Sequence, residues 1–201
     1  MADFHQNGVI STLHNFSNRS IDDIESELRT FSKDSPIELI LPSLYSELEG
    51  PALKNIVDCL SEVKYLNHIV IGLDKANKSE FLKAKKFFSH LNQPHSIIWN
   101  DSPSMKKLDM ELKKIGLAPN ESGKGKNVWY CMGYLFARDE ASCVALHDCD
   151  ITTYTRELLA RLVYPVANPN FNYEFCKGYY PRIRENTLSG RVTRLLVTPL
   201  L

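Results

Sequence analysis

Cys143-Val144-Ala145-Leu146-His147-Asp148-Cys149-Asp150 is a short apolar run that stops in two carboxylates one residue apart. Four mostly apolar residues suffice for a buried strand. Side chains alternate along an extended chain, so Asp148 and Asp150 share one side at the strand's carboxyl end. In an open α/β sheet that edge is where ligands bind. Two close carboxylates repel one another unless a cation or hydrogen-bond donors intervene, so the pair suits a hard divalent ion, Mg2+ or Mn2+, bridging to a phosphate. The plainer alternative makes Asp150 a helix cap and Asp148 a turn contact.

Working back from this run, apolar segments of two kinds alternate. Ile37-Glu38-Leu39-Ile40-Leu41, ended by Pro42, reads as the first strand, residues 68–74 as the second and residues 96–100 as the third. Between them come helical periodicities: Ala52, Leu53, Ile56, Val57, Leu60 and Val63; then, opened by Ser79, Phe81, Leu82, Phe88 and Leu91; then Met105, Leu108, Leu112 and Ile115. A helix from about residue 127 to 138 leads into the central strand that carries the two acids. The alternation predicts an α/β fold, mainly a parallel sheet flanked by helices with right-handed crossovers. Ahead of it, Ile21, Ile24, Leu28 and Phe31 recur at helical spacing behind Ser20 as N-cap, with Asp22 and Asp23 in the first turn. Residues 1–36 thus read as an N-terminal arm and helix, and residues 37–201 as one domain.

Beyond the acids, a short helix is expected up to Pro165 and an aromatic strand over residues 171–180. The chain then stops in Leu195-Leu196-Val197-Thr198-Pro199-Leu200-Leu201, an apolar stretch without a polar tail, which predicts a C-terminally incomplete domain.

Lysine plus arginine and aspartate plus glutamate each number 24, so the net charge is zero, with no electrostatic case for nucleic acid or an anionic membrane surface. No apolar run approaches a bilayer span and no signal peptide is visible, so a cytoplasmic location is expected. Five scattered cysteines suit reduced core thiols.

Two anion-handling segments stand out. Gly123-Lys124-Gly125 precedes a helix, where free backbone N–H groups and a lysine suit a pyrophosphate, although the spacing of a P-loop is absent. Near the C-terminus, Gly190-Arg191-Val192-Thr193 places a guanidinium, which grips two oxygens at once, beside a hydroxyl.

Taken in order, Leu41-Pro42-Ser43-Leu44, Gly123-Lys124-Gly125, Asp148-Cys149-Asp150, Phe175-Cys176-Lys177-Gly178-Tyr179-Tyr180, and Gly190-Arg191-Val192-Thr193 with Thr198-Pro199-Leu200-Leu201 resemble the N-terminal portion of glucosyl-3-phosphoglycerate synthases, retaining glycosyltransferases of GT-A type. The resemblance implies that Pro42, Ser43 and Leu44 line the base and ribose of UDP-glucose, and that Asp74 helps hold the base. It places Lys124 on the nucleotide side, Asp148 near the ribose and Asp150 on the metal, Mg2+ or Mn2+. Gly190, Arg191 and Thr193 would take the phosphate and carboxylate of 3-phosphoglycerate. The catalytic set implied is Asp148, Asp150 and Lys124. The partners implied are a nucleotide diphosphate sugar and a small anionic acceptor, with a homodimer left open. One departure is local: the family continues Asn-Glu-Glu where this chain has Tyr45-Ser46-Glu47. Two other readings remain: a nucleotidyltransferase of similar fold, and a non-catalytic sugar-nucleotide-binding module.

Overall fold

The computed structural model describes residues 18–178, 182–184 and 187–189. They belong to two units, Ser20–Cys176 and one made of both chain ends. In the second, β5 (Arg182–Arg184) and β6 (Thr187–Ser189) form an antiparallel pair with Ile183 opposite Leu188.

The larger unit is built on a four-stranded, all-parallel sheet in the order β3-β2-β1-β4, the α/β architecture expected of a GT-A-like fold. Its strands are β1 (Ile37–Leu44), β2 (Leu66–Asp74), β3 (His95–Trp99) and β4 (Cys143–Leu146). The two central strands are apolar on both sides because both faces are covered: Ile37, Leu39, Ile40 and Leu41 in β1, with Ile69, Val70, Ile71 and Leu73 in β2, are inaccessible to solvent. β1 runs three residues past the end expected for it. Pro42 is tolerated there because of strand parity. The His147 N–H donates to the Ile40 carbonyl, so Pro42, two residues on, faces the same side where β4 has already ended and no ladder donor is required.

β4 differs from the expectation of a buried central strand. It lies at the end of the described sheet and alternates, with Cys143 and Ala145 buried and Val144 and Leu146 about 40% exposed.

The helices follow the expected order with shifted ends. α1 (Ile21–Asp34) is capped as expected, Ser20 Oγ accepting from the Asp23 N–H at 3.1 Å, and packs on α6 (Arg156–Ala167). α2 spans Pro51–Ser61. α3 (Lys78–Phe88) is opened by Asn77 rather than Ser79: the Asn77 side chain accepts from the Ser79 and Glu80 N–H groups, while Glu80 accepts from the Asn77 N–H. α4 (Pro103–Lys114) has the expected period yet buries none of its residues, leaving Leu108 and Met110 exposed. α5 (Lys124–Arg138) starts three residues earlier than expected and absorbs the Lys124-Gly125 pair into its first turn. α6 passes through Pro165 to Ala167. The aromatic stretch expected as a strand is irregular over residues 171–178, and Tyr179 and Tyr180 lie outside the described residues.

Candidate functional site

The carboxyl ends of four parallel strands deliver their following residues to one edge of the sheet. β4 supplies Asp148 and Asp150. Alternation persists past the strand, so His147 and Cys149 turn inward, 3% and 2% exposed, and the two aspartates, expected on one side, lie on the outward one. The inward pair locks the turn. His147 Nδ1 lies 3.1 Å from the Tyr154 hydroxyl, and burial holds the imidazole at about 4, well below its ordinary range, so it is neutral at pH 7. Burial pushes the Cys149 thiol far up, Glu47 adds to the rise, and a hydrogen bond with Ser43 opposes it. Through Cys149 the end of β1 and the turn after β4 are held together, with Lys124 and Asp148 near enough to influence the same thiol.

Lys124 and Asp148 form an ion pair, both side chains about half exposed. The structure thus brings together two of the residues assigned to the donor's phosphate and ribose. Asp150 is exposed and forms no hydrogen bond or ion pair among the described residues. Pro42 and Ser43 are buried; the Ser43 hydroxyl donates to the Leu44 carbonyl, and the Leu44 N–H donates to Glu47 Oε2 at 2.9 Å, so Glu47 closes the turn after β1. Asp74, at the end of β2, is half-buried. Burial raises its carboxyl, while the Asn100 amide, donating to its Oδ1 at 2.8 Å, pulls the other way. Gly190, Arg191 and Thr193 lie outside the described residues.

The first turn of α5 offers N–H groups to this edge with no side-chain cap. Its N-cap Gly123 has φ 137°, a left-handed-side conformation that favours glycine, and a Cβ there would meet nothing within 4 Å, so the requirement is backbone shape and not space. Two anchors that the sequence reading missed fix this turn. The buried Asn127 amide donates to the Gly72 carbonyl at 2.8 Å, drawing α5 so close to β2 that a methyl on Gly72 would overlap Asn127 Oδ1 and come within 2.6 Å of Cys131 Sγ. A glycine inside an apolar strand was the available signal for such an approach. Asp109 of α4 receives Lys113, Lys126 and the Tyr130 hydroxyl, three donors that hold its carboxyl well below the usual range. Nothing in the sequence pairs Asp109 with Lys126, seventeen residues away by the numbering.

Among the described residues no group of three or more His, Cys, Asp or Glu side chains is gathered to hold a metal by itself. Asp148 and Asp150 fit a different kind of ion, one that keeps water and phosphate ligands and takes only one or two carboxylates, as Mg2+ does. All five cysteines are free, and no helix among the described residues is long and apolar enough to cross a membrane.

An acidic turn opposite a lysine-bearing helix start, at the carboxyl edge of an α/β sheet, is chemically suited to an anionic ligand, and known proteins narrow the reading. Over its whole length the chain is 50% identical to a glucosyl-3-phosphoglycerate synthase of Persephonella marina, covering 50% of that protein. It is 38% identical over 202 residues to a glucosyl-3-phosphoglycerate synthase of Methanococcoides burtonii, covering 49% of it. Its homologues are glucosyl-3-phosphoglycerate synthases. The chain spans about half the length of these curated relatives. No family model matches it. The motifs that carried the resemblance therefore lie within the aligned stretch, which covers 100% of the chain in the first relative and 99% in the second.

Proposed function

We propose that this chain is the donor-binding part of a glycosyltransferase that moves glucose from a nucleotide diphosphate sugar, UDP-glucose in the first instance, to a small phosphorylated acceptor such as 3-phosphoglycerate, with retention at the anomeric carbon. The observation that carries the reading is the opposition of Lys124 and Asp148 at the carboxyl edge of the sheet, in a chain 50% identical to a glucosyl-3-phosphoglycerate synthase.

The chemistry asks for a positioned donor and a stabilised leaving diphosphate. Lys124 and the uncapped N–H groups of the α5 first turn are donors for the phosphate oxygens, favoured further by the helix dipole. In this reading Asp148 accepts from a ribose hydroxyl once Lys124 turns to the phosphates. Asp150 is the carboxylate left for Mg2+ or Mn2+, an ion whose contribution when bound is to neutralise charge on the departing diphosphate. Asn127 and Asp109 hold the turn on which Lys124 stands. The acceptor falls to Gly190, Arg191 and Thr193 by the family resemblance and by the fit of a guanidinium to carboxylate and phosphate.

Calorimetric titration with UDP-glucose, with and without Mg2+, tests this directly. Expected is binding that strengthens with the metal and loses that dependence in Asp150→Ala. Equal binding in the variant would remove Asp150 from the metal, and pyrophosphate release from a nucleoside triphosphate would instead establish a nucleotidyltransferase.

A further inference from the structure

Asp148 and Asp150 stand on residues 147–154, which leave β4 and pass through two successive turns, at 149–150 and 152–153, before α6 begins. Both ends of this loop are tied. At its start the His147 N–H donates to the Ile40 carbonyl at 3.2 Å. At its end Tyr154, 2% exposed, is held at two points. Its carbonyl accepts from the Asn55 amide of α2 at 3.0 Å, with Cys59 Sγ 3.8 Å away, and its hydroxyl lies 3.1 Å from His147 Nδ1. The phenol and imidazole rings meet edge to face, 5.3 Å between centroids and 71° between planes. The hydroxyl bond closes the loop on itself, and the Asn55 bond fixes the closed loop to α2.

Packing alone does not require this arrangement. His147 Nε2 is buried with no hydrogen-bond partner among the described residues, and an apolar pair would fill the space without that desolvation. What the polar pair adds is direction. We propose that Tyr154, with Asn55 behind it, is a positioning residue for the metal carboxylate: by closing residues 147–154 onto His147, it holds Asp148 and Asp150 in the orientation that a divalent ion on the donor diphosphate needs. Tyr154 forms no hydrogen bond with either aspartate among the described residues, so it acts through the backbone of the loop. Mg2+ demands near-octahedral geometry and is held by only one or two carboxylates, so freedom left in the loop weakens its binding directly. The inference rests on the reading of Asp150 as the metal carboxylate and extends it to two residues that touch neither ion nor donor.

The test is calorimetric titration of the intact chain with UDP, with and without Mn2+, in the wild type, Tyr154→Phe, Asn55→Ala, Phe88→Leu and Asp150→Ala, with the urea midpoint of each measured alongside. The quantity read is the factor by which Mn2+ tightens UDP binding. Expected in Tyr154→Phe is a fall of about tenfold in that factor, the scale of losses behind metal ligands, with metal-free UDP affinity unchanged because Lys124 and the α5 first turn are untouched. Asn55→Ala should lower the factor in the same sense by less. Phe88→Leu, which opens space at the buried end of α3, should lower the urea midpoint and keep the full factor. A full factor in folded Tyr154→Phe overturns the proposal, as does a full factor in Asn55→Ala where Tyr154→Phe does not fold. An equal loss in Phe88→Leu also overturns it, by making the effect one of general stability. These three outcomes leave the metal reading standing. No Mn2+ enhancement in the wild type, or one that survives in Asp150→Ala, overturns that reading and this inference with it.

Discussion

β2 and β4 are parallel strands of one sheet with opposite circumstances. β2 is nine residues long, covered on both faces, and approached by α5 to the point where Gly72 has no room for a methyl group. β4 is four residues long, open on one face at Val144 and Leu146, and ends in the outward carboxylates. Rigidity and chemistry are thus divided between two strands on either side of β1: the dense packing at β2 fixes the helix start that β4's aspartates oppose. The difference also says where substitutions should be felt as stability and where as binding.

Gly72→Ala should have the largest effect. Overpacking of this severity costs on the order of 3 kcal/mol, read as a lowered urea midpoint with unchanged m-value. Adding Asn127→Ala should restore part of the loss by making room, and a single variant as stable as the wild type would break the account of α5 docking. Asn127→Ala alone strips the buried Gly72 carbonyl of its donor, for roughly 1–3 kcal/mol. Hydrogen exchange should then show faster opening of the α5 first turn with β1 unchanged.

His68 of β2 gives a pH signature. Burial holds it at about 4 against an ordinary 6.5, and its Nε2 lies 2.9 Å from Ser96 Oγ, itself 2.8 Å from the Tyr134 hydroxyl. The unfolded chain takes up a proton near 6.5 that the folded chain refuses until about 4, so the contribution is complete above pH 6.5 and is lost as pH falls to 4. Stability should fall by roughly 2–3 kcal/mol more over that interval than in His68→Gln, as measured by urea titrations at each pH. Val144→Thr, on the open face of β4, should change stability by less than about 0.5 kcal/mol. A larger loss would mean that something covers this face.

The same division governs what the sequence disclosed. Continuous apolar runs such as Ile37-Glu38-Leu39-Ile40-Leu41 declare buried strands because parallel sheets covered on both sides need them. The one-residue spacing of Asp148 and Asp150 declares their shared side because alternation is a property of the backbone. Periodicity reports an apolar face and not its partner, so Leu108 and Leu112 announced α4 but not its exposure. Aromatic alternation over 171–178 likewise described a strand's side chains without supplying a neighbouring strand. Asn127 on Gly72, Asp109 on Lys126, and Asn55 on Tyr154 are each formed by segments that meet only in the fold. Gly72 inside an apolar strand hints at the first; no local pattern marks the other two.

The Lys124–Asp148 pair carries a thermodynamic consequence. Each group neutralises the other while the edge is empty, so an anion that recruits the ammonium strands the carboxylate, and a cation that recruits the carboxylate strands the ammonium. Either newcomer alone forfeits an existing attraction, and the two together forfeit it only once. Their affinities must therefore be mutually enhancing by one common factor, whichever arrives first.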